Sequence, residues 1–141
     1  MLVSTIAFQV EEKLDFSLSQ KEPIKKWIGK IIRTEKRKCG KISYFFCTDK
    51  YLHALNKQFL GHDTYTDIIT FDYSNGDEIS GEIFISIDRV KENATKYKQV
   101  FNNELKRTII HGVLHLCGYG DKTAVQKKIM REKESHAIGL F

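Results

Sequence analysis

Hydrophobic positions along this chain recur with two different periods, and the switches between them lay out the elements. Residues 2–10 are apolar and β-branched enough for a first strand, and Pro23 suits the opening of a helix. Ile24, Trp27, Ile28, Ile31 and Ile32 then fall at three- and four-residue spacing, with the basic residues largely on the opposite face. Gly40 is expected to end that segment. Residues 42–47 read as a second, largely buried strand, and Thr48 or Asp49 can cap a helix on which Leu52, Leu55 and Phe59 share a face until Gly61 stops it. Residues 66–73 form a third strand and 81–87 a fourth, joined by the turn residues Ser74, Asn75, Gly76 and Asp77 into an antiparallel hairpin. Asp88 is expected to cap a short polar helix through Tyr97, Asn102 or Asn103 the next, and Thr123 a last one running to about Ile138. The order β-α-β-α-β-β-α-α-α predicts an α+β fold, one domain over residues 1–141 with a single sheet of about four strands.

Composition narrows the class. Hydrophobic residues make up 41% and charged residues 29% of the chain, which is globular rather than disordered. Three cysteines, Cys39, Cys47 and Cys117, are odd in number and lack any CxxC spacing, which suits reduced thiols in the cytoplasm. No apolar run approaches the ~20 residues that span a bilayer, and no basic stretch leads into a long apolar one at the N-terminus, so neither membrane insertion nor export is expected. The net charge of +5 is unevenly spread: nine basic residues between Lys21 and Lys41 face only Glu22 and Glu35, a local balance of +7. Such a face suits a polyanion, and Lys25, Lys26, Lys30, Arg33 and Arg37 are the candidate nucleic-acid contacts; a solvated lysine-rich helix is the plain alternative. Lys98, Lys106, Arg107, Lys122, Lys127 and Lys128 are secondary candidates.

The run from His111 to Asp121 changes the picture most. Two histidines four apart on a helix point the same way, Gly118 can end that helix in a left-handed turn, and Asp121 can then fold back toward them. Leu105, Ile109, Ile110, Val113, Leu114, Leu116 and Cys117 cover most of the same helix, so the imidazoles must lie in the interior or under a cleft and need partners there. Two imidazoles and a carboxylate, with a fourth position open to water, make the ligand set of a catalytic zinc-type centre. The register is that of extended zincin motifs, HxxxHxxGxx followed by Asp. Gly112, however, stands where a zinc protease places its glutamate base, which disfavours peptide hydrolysis.

HGVLHLCGY, residues 111–119, resembles the signature of the YbeY-type endoribonucleases, metal-dependent RNases of ribosomal RNA maturation. Met130, Glu132, Glu134, Ile138 and Gly139 match the downstream part of that family's pattern. Leu55 and Asn56, the strand Thr66-Asp67-Ile68-Ile69-Thr70-Phe71, and Gly81-Glu82-Ile83 match its upstream part. The resemblance implies a single-strand-specific, metal-dependent endoribonuclease of rRNA processing and ribosome quality control. It further implies one zinc ion held by His111, His115 and Asp121, and RNA with ribosomal subunits or assembly proteins as partners. Two departures stand out: Gly120-Asp121 replaces the family's Asp-His, and Leu60 occupies the place of an arginine thought to contact RNA phosphate. Aspartate for a third imidazole lowers the charge of the centre by one, making it a weaker Lewis acid and harder ions such as Mn2+ more competitive.

The proton-transferring group stays open between Asp67 and Glu82, each equally readable as a cap or a solvated acid. Tyr65, Phe71, Tyr73 and Tyr119 are candidates for base stacking, with core packing the better expectation for Phe71. Rival readings are another metallohydrolase and a non-catalytic, metal-braced ribosome assembly factor.

Overall fold

In the computed structural model, which describes residues 5–141, nine elements follow one another: β1 (Ile6–Val10), α1 (Lys21–Thr34), β2 (Lys38–Cys47), α2 (Asp49–Leu60), β3 (Ile68–Asp72), β4 (Glu78–Ser86), α3 (Ile87–Lys96), α4 (Phe101–Leu116) and α5 (Ala124–Gly139). The strands form one mixed sheet in the order β1-β2-β4-β3, with β1, β2 and β4 parallel and β3 antiparallel to β4. The predicted α+β class, the element order and the hairpin all hold. Residues 2–4 of the first expected strand lie outside the described residues.

The period-2 alternation of the strands separates two cores. Ile42, Tyr44 and Phe46 of β2 with Ile79, Ile83 and Ile85 of β4 point to one face, where they meet Ile28 and Ile32 of α1 and Ile109 and Val113 of α4. The opposite face is smaller: Cys47, Leu52 and Ile69, with Phe45, Leu55, Phe71 and Phe84 packed around them under α2. Burying Tyr44 on the larger face is compensated, since its hydroxyl donates to Ile109 O at 2.9 Å and ties α4 to the central strand.

Helix α4 lies unusually close to the sheet. A Cβ at Gly112 would sit 2.9 Å from two carbons of Ile83, and one at Gly81 2.5 Å from Phe71 O and 2.9 Å from Leu116. These two glycines let the helix and the β3–β4 hairpin touch. Thr48 caps α2 through Tyr51 N and Gly61 ends it at φ 68°, as predicted.

Several expected boundaries move. Gly40 does not end α1; it lies within β2 at an irregularity in the register, where a Cβ would come 2.6 Å from Ile79 O, and α1 stops instead at Thr34. The side chain capping α3 is Ser86, accepting from Arg89 N, while Asp88 accepts from Asp49 N at 2.8 Å. Val100 precedes the first residue of α4, so Asn102 and Asn103 fall inside its first turn. Pro23 does stand at the start of its helix, as the third residue of α1. At α3 a neighbouring residue of equal capping ability took the place of Asp88, and at Gly40 the close approach of β4 keeps the chain in the sheet, whereas Val100 makes no side-chain cap.

Candidate metal centre

Helix α4 places His111 and His115 one turn apart on the face that borders the cleft beside β3, with ring centroids 4.6 Å apart. The helix ends at Leu116; Gly118 takes φ 103°, its N–H and that of Tyr119 returning to the carbonyls of His115 and Leu114 at 3.0 Å each. That reversal brings Asp121 back over the histidines. One oxygen, Asp121 Oδ2, lies 3.3 Å from His111 Nε2 and 3.3 Å from His115 Nε2. A tetrahedral ion with bonds of roughly 2.0–2.1 Å separates its ligands by about 3.3 Å, so the donor set fits a zinc-sized ion. All three ligand atoms lie within 4.8 Å of one another, and theirs is the one such group among the described residues.

The loop that carries Asp121 is held by backbone contacts. Gln126, in the first turn of α5, accepts from Lys122 N at 3.0 Å and from Thr123 N at 3.2 Å, completing a capping box with Thr123. Gly120 makes room for it, because a Cβ there would lie 2.9 Å from the Gln126 amide. On the far side, Arg37 donates to Cys117 O at 3.0 Å and the Tyr119 hydroxyl donates to Glu35 at 2.6 Å.

Glu134 of α5 is a site residue that sequence reasoning placed only as part of a family pattern. Its carboxylate accepts from His111 Nδ1 at 2.6 Å and from Arg107 at 3.0 Å, with the side chain only 9% exposed. A proton on Nδ1 leaves the lone pair of His111 Nε2 facing Asp121, the orientation a metal ligand requires. Burial disfavours charge on His111, but the Glu134 bond and the nearby Asp67 and Asp121 carboxylates outweigh it and hold the imidazole pKa above its ordinary value. The available signal was the stripe of Lys127, Met130, Arg131 and Glu134, at i, i+3, i+4 and i+7 along α5.

The histidines open onto a cleft of about 780 Å3 lined by the end of α2, the 61–67 loop and β3. Asn56, buried, fixes that loop by donating to Thr64 O at 2.9 Å. Of the two acids weighed for proton transfer, only Asp67 lines the cleft; burial raises its pKa against the opposing pull of His111, and Asn93 donates to it at 3.4 Å. Glu82 lies outside, accepting from the exposed Tyr73 hydroxyl. Thr70 Oγ1, in the cleft wall, is buried and has no hydrogen-bond partner among the described residues. Cys117 is not among the side chains whose donor atoms converge on the cluster, and burial raises its thiol to about 11.

The remaining candidates scatter. Tyr65 is at the cleft rim, 55% exposed, stacked on His53 and under the Arg89 guanidinium. Phe71 packs edge-on against Phe59 and Phe84, as core. Lys25, Lys26, Lys30, Arg33 and Arg37 line neither the cleft nor the groove beside α5, and Lys25 and Arg37 are partly covered. Leu60 does line the cleft, bringing an apolar side chain where a cation would face the metal ligands.

Position 112 now has a physical account. A side chain there would point at Ile83 and Ile68 rather than toward the two imidazoles, so the helix face that a protease uses for its base is spent here on the sheet.

The comparisons with known proteins agree with this geometry. A curated endoribonuclease YbeY of Flavobacterium psychrophilum is 48% identical over 136 residues, covering 96% of each chain. That of Christiangramia forsetii is 48% identical over 127 residues, 90% of this chain and 89% of its own. A solution structure of a Thermotoga maritima protein superposes with a TM-score of 0.67 at 30% identity, covering 94% of this chain and 86% of that one. The sequence model of the family described as Endoribonuclease YbeY matches residues 8–140, nearly the whole length that builds the sheet, the cleft and the His/His/Asp cluster, and the chain belongs to that family.

Proposed function

We propose that this protein is a metal-dependent endoribonuclease that cuts single-stranded RNA during ribosomal RNA maturation and ribosome quality control. The observation that carries the reading is the convergence of His111, His115 and Asp121 at ligand spacing on the wall of an open cleft, in a chain of the Endoribonuclease YbeY family. These three residues hold one divalent ion, zinc first, with harder ions competitive because one ligand is an oxygen. The ion supplies a Lewis acid for a phosphate oxygen and acidifies water.

The chain's own residues do the rest. Glu134 keeps the Nδ1 proton of His111 in place and so fixes which nitrogen faces the ion. Gln126 and Gly120 hold the Asp121 loop against the histidines. Of the acids that line the cleft, Asp67 is the one we assign to proton transfer, and Asn93 orients it. RNA is drawn electrostatically, with the basic face of α1 around Lys25, Lys26, Lys30, Arg33 and Arg37 acting at longer range. Three buried, unpaired cysteines suit a reducing compartment, so we place the activity in the cytoplasm, with ribosomal subunits or assembly proteins as partners. Among the described residues no helix is long and apolar enough to cross a membrane.

The test is metal analysis together with RNA cleavage by the wild type and by His115→Ala. The variant is expected to lose both bound metal and cleavage. Loss of metal with cleavage unchanged would overturn the catalytic role and leave a metal-braced assembly factor as the better reading.

A further inference from the structure

The metal ligands stand between two openings, and the two differ in charge. The larger cleft contains Asp67 and Asp72 beside Asp121, against a single lysine, Lys122. On the other side of His111 and Asp121 runs a smaller groove of about 190 Å3 between α4 and α5, lined by Lys127, Met130, Arg131 and Glu134. Its one acid besides Asp121 is already engaged, since Glu134 binds both His111 and Arg107. Lys127 and Arg131 are exposed, and among the described residues neither side chain makes a hydrogen bond or an ion pair. They sit one turn apart, so both reach the same groove.

A lysine and an arginine on a solvated helix are ordinary when they point anywhere. These two line a groove at the edge of the His/His/Asp cluster, and among the described residues neither side chain forms a direct ion pair, Arg131 acting on Glu104 only at longer range. An RNA strand crossing the cluster carries one negative charge per nucleotide on each side of the cut. The larger cleft answers that charge with one lysine and three acids, whereas the α4–α5 groove offers two uncommitted cations. The larger cleft is instead lined by exposed side chains suited to sugars and bases, namely His62, Thr64 and Tyr65.

We propose that the groove between α4 and α5 is a phosphate subsite, in which Lys127 and Arg131 bind the RNA phosphate next to the scissile one. The strand therefore crosses the centre with its backbone toward α5 and its bases toward β3 and the 61–67 loop. Arg131 can grip two phosphate oxygens through its planar fork, and Lys127 adds a point charge. The proposal rests on the reading of the His/His/Asp cluster as the RNA-cleaving centre.

The test uses the metal-loaded, full-length chain and a single-stranded, 2′-O-methyl, phosphorothioate-linked oligonucleotide that resists cleavage, with binding followed by fluorescence anisotropy over a range of salt. Lys127→Ala combined with Arg131→Ala is expected to weaken binding about tenfold. It should also flatten the slope of log affinity against log salt by roughly 0.7 for each phosphate that is no longer neutralised. Lys91→Ala, at an exposed lysine of α3 that lines neither opening, is the control and should change neither quantity. Metal content should be that of the wild type in every variant. Unchanged affinity and slope in the double variant, or an equal effect from Lys91→Ala, overturns the subsite. That failure is distinct from failure of the catalytic reading, which shows as metal-free protein cleaving RNA at the wild-type rate.

Discussion

Helix α1 carries Lys21, Lys25, Lys26, Lys30 and Arg33 in one run, whereas between Ile109 and Gly118 the histidine end of α4 and its cap contain no lysine, arginine, aspartate or glutamate. The chemistry nevertheless gathers at the second place. The α1 cations spread outward from a helix whose opposite face is anchored by Ile24, Trp27, Ile28, Ile31 and Ile32. Helix α4 is pressed onto the sheet until two glycines are needed, so its two histidines have a single direction left, into a shared cleft with Asp121. Charge density along a sequence measures how strongly a surface attracts. Convergence of side chains measures what it can do on contact, and the fold supplies it here by crowding.

The sharpest way to break this contrast is to remove a converging group. Asp121→Ala should reduce metal affinity by more than the ~10–100-fold that loss of an outer partner costs, whereas Asp121→His should retain binding. Equal metal content in wild type and the alanine variant, measured after dialysis against chelator, would remove Asp121 from the site. One layer further out, Glu134→Gln keeps an acceptor for His111 but removes the charge shared with Arg107, and a loss within that ~10–100-fold range is expected in a metal titration. Full affinity in that variant would make Glu134 a brace between α4 and α5 and nothing more.

Much of this contrast is legible in the residues themselves. The ends of α2, the hairpin, the Thr123 cap and the HxxxH register follow from local rules of spacing and turn chemistry, and each of those rules acts within a few residues. What stays hidden depends on contacts across the fold. Gly40 looks like a helix terminator because its close neighbour is Ser80 on another strand, forty residues on. Glu134 is one acid among several on α5 until the fold sets it against His111, and Asp67 and Glu82 look alike until only one of them faces the cleft. Gly112 is the instructive case. In the sequence its lack of a side chain reads as a missing protease base, and the structure shows that a side chain there would strike Ile83.

That collision gives a smaller, purely structural prediction. In an exposed helix, replacing glycine by alanine gains about 1 kcal/mol of helix propensity. At Gly112 the added methyl must displace Ile83, and overpacking of this kind costs about 1–3 kcal/mol. Gly112→Ala should therefore lower the midpoint of urea unfolding instead of raising it, while the exposed Gly139, near the end of α5 and with nothing close to its Cβ position, should respond in the opposite sense. A stabilised Gly112→Ala protein would mean that α4 can lift from the sheet, and the crowding argument for the direction of His111 and His115 would fail with it.

The smallest effect belongs to the helix with the most charge. Lys30 and Arg33 are exposed and line neither opening at the metal ligands, so reversing both to glutamate should leave folding within about 0.5 kcal/mol of the wild type. Four units of charge removed from one face should still weaken the field that gathers RNA. Exposed charges separated by more than the Debye length of about 8 Å at physiological salt are screened, so the loss should be several-fold at low salt and shrink toward nothing as salt rises. Cleavage at saturating RNA should not change, because the converging residues are untouched. If affinity and its salt slope are both the same as in the wild type, α1 is only a solvated face. If cleavage at saturation falls instead, the division between the helix that attracts and the helix that acts is drawn in the wrong place.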